Sequence, residues 1–242
     1  MKYEEFKQKY LTPSKSDGRI NKIDTLSKNT SRLNKPKVKV SDCKDFEQLQ
    51  YYWASNYNVK MNEPVKKLDF ACVNLVLQGV ERVLREFPAA GLYFRELAVN
   101  NRAIMSVEEG VMFFNAEWFS QPKALQMAFI EDARSGFHPK NTTLKESGSH
   151  EAGHFVEQAL IDKRDGEKIR RTHATALVKE AYNRIKSHSN KDLRQLRSEI
   201  SMYANKNVSE CLAEAISDYV ANGENAAELS REIWKMLKEE LS

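Results

Sequence analysis

The order of local patterns along the chain constrains its fold more than any other feature. Apolar residues at helical spacing predict helices over residues 45–54 and 65–87, and Pro88 ends the second. Short β-prone runs follow between residues 92 and 119. After Pro122 we predict helices over residues 123–134, 143–162, 166–187, 191–204, 208–222 and 224–241. This order indicates an α+β fold rather than an alternating α/β fold.

The composition indicates a globular protein without disulfide bonds. The 242 residues are 41% hydrophobic, which is enough to bury a core. Cys43, Cys72 and Cys211 are widely spaced and form no CxxC pair, which argues against a disulfide framework or a zinc ribbon and favours a reducing compartment. No segment resembles a signal peptide, and no apolar run approaches the roughly 20 residues that cross a bilayer. We therefore expect a soluble, cytoplasmic protein without membrane contact.

Positive charge is concentrated at the start of the chain. Residues 1–40 contain eleven Lys or Arg and four Asp or Glu, whereas the remainder has 27 basic and 30 acidic residues. The segment after Thr12 is poor in large apolar residues, so its burial cannot offset the entropy of ordering. We predict a basic flexible arm over residues 1–40 and one folded domain over residues 41–242. The arm is either a solvated linker or a contact for nucleic acid or an acidic partner.

The pattern HEAGH, which begins at His150 and ends at His154, is the strongest indication of chemistry. Thr143 and Glu146 form a capping-box pattern just before it, which places HEAGH on a helix. Histidines four residues apart then project from one helix face and can bind one Zn²⁺ at about 2.0–2.1 Å. Glu151 can reach water beside the metal as a general base. The alternative is a chance HExxH on a solvated helix.

A catalytic zinc needs a third protein ligand, and a downstream helix offers two carboxylates. Glu210 and Glu214 are four residues apart and therefore lie on one helix face. If Glu210 binds zinc, Glu214 can accept a hydrogen bond from a ligating imidazole. The alternative role for Glu210 is purely structural, in a helix cap that begins at Asn207.

At this spacing, HEAGH and the downstream residues Tyr203, Asn207, Glu210 and Glu214 resemble the gluzincin metallopeptidases, in particular the anthrax lethal factor-like catalytic domain. The resemblance implies a mostly helical zincin-like fold with a small antiparallel or mixed sheet. It also implies a site with these roles: zinc ligands His150, His154 and Glu210, general base Glu151, oxyanion donor Tyr203, and ligand support from Glu214.

A second register competes with this assignment. Glu214 followed by Asp218 resembles the thermolysin-type pattern, in which the first carboxylate binds zinc and the second supports a ligand. The register with Glu210 is favoured because it alone also uses Tyr203 and Asn207. A weaker likeness to a domain of phage minor head and head-morphogenesis proteins covers about residues 40–222. It implies capsid components as partners.

These patterns predict a zinc metalloendopeptidase that acts on protein or peptide substrates. The alternative is a catalytically silent zinc module that serves as a structural or interaction domain of a phage head-associated protein. His138 is a candidate for the cleft, although a loop histidine is more often simply exposed. The run Gly110–Phe114 is either a strand that pairs with substrate at the site border or an ordinary amphipathic or buried strand.

Overall fold

The computed structural model describes residues 39–165 and 172–241. Its first helices are α1 (Phe46–Tyr57) and α2 (Phe70–Glu86), with the short strand β1 (Lys60–Met61) between them. Asp45 caps α1 by accepting from the Gln48 amide, and Asp69 caps α2 by accepting from the Cys72 amide. Because Asp69 begins α2, the first residues of the predicted helix 65–87 instead belong to a 3₁₀ turn, Glu63–Lys67.

The small sheet is mixed. It contains β1, β2 (Glu96–Asn100), β3 (Met105–Glu108) and β4 (Val111–Asn115) in the order β1-β2-β4-β3. β2 runs parallel to both β1 and β4, whereas β3 is antiparallel to β4. Glu109 and Gly110 both have positive φ, as a two-residue hairpin turn between β3 and β4 requires. The predicted α+β class, mostly helical with a small sheet, is confirmed.

Helices form the rest of the described chain. A four-residue helix α3 (Ala116–Phe119) is followed by α4 (Pro122–Ser135), α5 (Leu144–Asp165), α6 (Thr172–Lys186), α7 (Leu193–Ile200), α8 (Val208–Asn222) and α9 (Glu228–Leu241). The first six residues of the predicted helix 166–187 lie outside the described residues, as does the basic arm except for its last two residues. Within the described ranges, no helix is long and apolar enough to cross a membrane.

One predicted helix is broken in the structure. The pattern predicted a helix over residues 191–204, but α7 ends at Ile200 and a separate 3₁₀ turn covers Tyr203–Asn205. Ser201 is extended at the break, and its hydroxyl accepts from the Ala204 amide while donating to Glu214. A side chain that replaces helical hydrogen bonds in this way ends the helix. The break sets the position of Tyr203.

Helix α5 lies at the centre of the fold and packs unusually close to α2 and α8. A Cβ built on Gly79 would lie 1.8 Å from the Lys145 carbonyl oxygen, so glycine is required where α2 meets α5. A Cβ on Gly153 would lie 2.8 Å from the Ala213 Cα atom of α8. The glycine inside HEAGH therefore allows α8, which carries Glu210 and Glu214, to approach the two histidines.

Candidate metal centre

Helix α5 presents the two histidines from one face, as their spacing predicted. The rings of His150 and His154 lie 5.3 Å apart between centroids and at 81° to each other. Both side chains are mostly buried, with 10% and 21% of their surface exposed. Thr143 and Glu146 cap the helix: the Glu146 carboxylate accepts from the Thr143 amide at 3.2 Å.

Helix α8 brings Glu210 to the same point. Glu210 Oε2 lies 3.2 Å from His150 Nε2 and 3.8 Å from His154 Nε2. The three possible ligand atoms all lie within 4.8 Å of one another. Asn207 does cap α8, but it accepts from the Glu210 backbone amide at 2.9 Å and does not involve the carboxylate. The structural role and the metal-binding role of Glu210 therefore do not exclude each other.

The chemistry of this cluster fits a zinc ion. Ligand atoms bound tetrahedrally at 2.0–2.1 Å lie about 3.3 Å apart, close to the distances from Glu210 Oε2 to the two imidazoles. Glu210 Oε2 is also buried without a hydrogen-bond partner. A buried carboxylate oxygen without an aligned donor needs a positive charge nearby, which a cation bound between the three residues would supply in place of the His150 proton.

Glu214 lies behind His150, away from the point where the ligand atoms meet. Its Oε1 is 2.7 Å from His150 Nδ1, though without an aligned hydrogen bond, and 3.0 Å from His138 Nδ1. Ser201 donates to its other oxygen at 2.6 Å. A carboxylate in this position orients the imidazole so that Nε2 faces Glu210, where a metal could bind.

The charges of this group are strongly coupled. Burial alone would raise the pKa of the Glu214 carboxyl, but contacts with His138 and His150 outweigh it and lower the pKa to about 2. Burial alone would lower the pKa of His150, yet contacts with Glu210 and Glu214 raise it to about 10. Contacts with the two carboxylates therefore favour the protonated form of His150 when no metal is bound.

The register with Glu214 as ligand and Asp218 as its support does not match this geometry. Glu214 faces Nδ1 of His150, while Nε2 points to Glu210. Asp218 is turned away from the cluster: its oxygens accept from the Asn222 side chain and the Ala227 amide, both at 2.8 Å. Asp218 therefore joins α8 to the start of α9.

His154 also has a polar group behind it, which the sequence patterns did not reveal. The Ser209 hydroxyl lies 3.4 Å from His154 Nδ1 and donates to Glu157 Oε2 at 2.5 Å. Glu157 lies one turn after His154 on α5, and Ser209 directly precedes Glu210. Their positions close to His154 and Glu210 in the sequence could have pointed to them. Ser and Glu are common on helices, however, so their positions alone carry little information.

A cleft of about 240 Å³ opens beside His150. The remaining functional candidates, Glu151, Tyr203 and His138, all line it. Glu151 is almost fully buried, and the Tyr203 hydroxyl donates to Glu210 Oε1 at 3.1 Å. A second cavity of about 590 Å³ borders His154. This second cavity lies on the side of His154 where Ser209 and Glu157 are found.

The sheet edge at the cleft is β3, not the run Gly110–Phe114. β4 pairs with β2 on one side and with β3 on the other, so neither of its edges is available to a substrate. Met105, the first residue of β3, and Ile104 directly before it line the cleft instead. β3 lies at the end of the sheet order, so one of its edges has no partner strand within this sheet.

Comparison with protein-family models, with curated proteins and with solved structures found no match.

Proposed function

We propose that this chain is a zinc-dependent metalloendopeptidase with a zincin-like fold. The observation that supports the proposal is the convergence of His150 Nε2, His154 Nε2 and Glu210 Oε2, with Glu151 in the adjoining cleft. A catalytic zinc typically has three protein ligands of these types and one open position. The cluster has this composition.

Each residue has a role that follows from its position. Zinc in such a site polarises a carbonyl oxygen and makes water more acidic. Glu151 takes the proton from the attacking water and delivers it to the leaving amine. Tyr203 turns its hydroxyl from Glu210 towards the negative charge that develops on the substrate oxygen. Glu214 and the pair Ser209–Glu157 keep the two imidazoles oriented.

The walls of the cleft support an extended peptide as the substrate. The open edge of β3 offers backbone groups to which a peptide strand can hydrogen-bond. Ile104, Phe129 and Phe137 give the cleft an apolar part of its lining, so a large apolar side chain fits beside the scissile bond.

The second candidate function is a zinc-binding module without catalysis, for example one that contacts capsid components. A structural zinc site is usually closed by four protein ligands. In the part of the chain that the structure describes, the cluster contains three. A carboxylate at Glu151 in the cleft has no use in a purely structural site, so the arrangement favours the enzyme.

Metal content and hydrolysis together test the proposal. Mass spectrometry should find about one zinc per wild-type chain and much less in His150→Ala and Glu210→Ala. Glu151→Gln should keep its zinc but lose cleavage of a peptide library. His188→Ala is a matched control, because the His188 ring lies at a similar distance, 3.0 Å, from the carboxylate of Glu228 on the surface. A wild-type protein that cannot be loaded with zinc would refute the proposal, and zinc without hydrolysis would favour the silent module.

A further inference from the structure

Lys206 contacts two site residues that the peptidase proposal uses, yet neither HEAGH nor the downstream motif includes it. Its Nζ lies 2.5 Å from the Tyr203 hydroxyl and 2.9 Å from Glu210 Oε1. The ammonium also lies over the Tyr203 ring, 4.5 Å from the centroid. The sequence holds no signal for this contact, since a lysine before a helix cap is ordinary.

The local backbone holds Lys206 between these two groups. The 3₁₀ turn Tyr203–Asn205 ends at Lys206, and the cap at Asn207 begins α8 directly afterwards. Lys206 is therefore three residues after Tyr203 and one turn before Glu210, which brings all three side chains to one side of the chain.

The hydrogen bonds suggest what the ammonium does during a reaction. Tyr203 and Lys206 both donate to Glu210 Oε1, the oxygen that faces away from the ligand cluster. When Tyr203 turns its donor to a substrate oxyanion, Lys206 still satisfies that oxygen, so Glu210 keeps its orientation. An ammonium that donates to the phenol oxygen also makes the phenol O–H a stronger donor.

We propose that Lys206 is a positioning residue for peptide hydrolysis, which holds the Tyr203 hydroxyl and the outer oxygen of Glu210 in place for the transition state. The proposal rests on the proposed function. About half of the Lys206 side chain is exposed, so its ion pair contributes little to folding. A substitution there should change the reaction more than the stability.

Steady-state kinetics of the zinc-loaded full chain test this role. Lys206→Met should lower kcat about tenfold and leave KM and zinc content unchanged. This decrease is smaller than the decrease of about a hundredfold or more that we expect for Tyr203→Phe. Lys206→Arg should restore most of the rate. Lys238→Met is the matched control, because Lys238 also pairs with a glutamate, at 2.9 Å, and lies over an aromatic ring. It should leave kcat unchanged.

Two further measurements distinguish an effect through Tyr203 from a general effect of the lysine charge. In the Tyr203→Phe background, Lys206→Met should cost clearly less than tenfold, since the contact with the Tyr203 hydroxyl is already absent and only the contact with Glu210 Oε1 is lost. A phosphinic peptide, which mimics the tetrahedral anion, should bind Lys206→Met about tenfold more weakly than the wild type by calorimetry. A substrate peptide cannot be cleaved by the Glu151→Gln protein, and its affinity for that protein should be the same with Lys206 as with Met at this position. A tenfold loss that persists without the Tyr203 hydroxyl would overturn the proposal.

Failure of the peptidase proposal gives a different result. Wild-type protein that binds zinc but cleaves no peptide would refute peptide hydrolysis. Equal affinity of the wild type and Lys206→Met for the phosphinic peptide would overturn the role of Lys206, whether or not the chain hydrolyses peptides.

Discussion

Substitution of Gly153 by alanine should damage the proposed metal site because it increases the distance between two helices. The added Cβ would lie 2.8 Å from Ala213 Cα, 3.1 Å from Ala213 Cβ and 3.4 Å from Ile216 Cδ1. Carbon atoms that are not bonded normally approach to about 3.5–4.0 Å. Both Gly153 and Ala213 are held in helix backbones, so the overlap cannot be relieved by a flexible side chain. Helix α8 must move away from α5 by about 0.7 Å or more.

A shift of this size exceeds the tolerance of a zinc site. Ligand distances must lie within about 0.2 Å of their ideal values. Glu210 moves with α8, whereas His150 and His154 stay on α5. We expect a loss of zinc affinity of about 10–100-fold, similar to the loss of a residue that orients a ligand. The free energy of unfolding of the metal-free protein should fall by less than that of the zinc-bound protein. Overpacking costs about 1–3 kcal/mol, and alanine regains about 1 kcal/mol through its higher helix propensity.

Thermal unfolding with and without zinc separates the two effects. A tenfold weaker affinity removes about 1.4 kcal/mol of the stabilisation that saturating zinc provides. For a domain of this size, the increase in Tm on adding zinc should shrink by about 3–6 °C. Competition with a chromogenic chelator should report the affinity directly. Gly153→Ala protein that binds zinc as tightly as the wild type would refute the argument that this glycine sets the site.

Three further predictions concern pH and packing. The raised pKa of His150, about 10, means that its proton stabilises the metal-free fold fully below pH 6.5 and that this contribution disappears as pH rises towards 10. Tm of chelator-treated protein should fall across that window, less so in His150→Gln, and zinc affinity should rise with pH because binding displaces the proton. Gly79→Ala should lower the free energy of unfolding in urea by about 1–3 kcal/mol or more, because its Cβ would lie 1.8 Å from a carbonyl oxygen; wild-type stability would contradict this. Tyr52→Phe should lower the free energy of unfolding by about 1.5–3 kcal/mol in the same assay, because the buried Glu81 loses a hydrogen-bond donor at 2.8 Å. Tyr219→Phe is the control and should change the stability little, because the hydrogen bond from Tyr219 to Glu224 is exposed.

Local patterns in the sequence were sufficient to predict most of the helices and part of the site. Two histidines at HExxH spacing on a helix must share a face, whatever the rest of the fold does. The cap at Asn207 and the α+β order likewise depend on neighbours in sequence, and the structure contains both. Such features are decided within one or two helical turns, so they can be derived without knowledge of tertiary contacts.

The tertiary structure decided which carboxylate faces the histidines. Glu210 and Glu214 lie on the same helix face, and only the close approach of α8 at Gly153 directs the first to the two Nε2 atoms and the second to Nδ1 of His150. The order of the strands and the break at Ser201 also depend on partners distant in sequence. The spacing of residues along one helix determines which side chains share a face of that helix. The distance between side chains on different helices depends on how closely the two backbones pack.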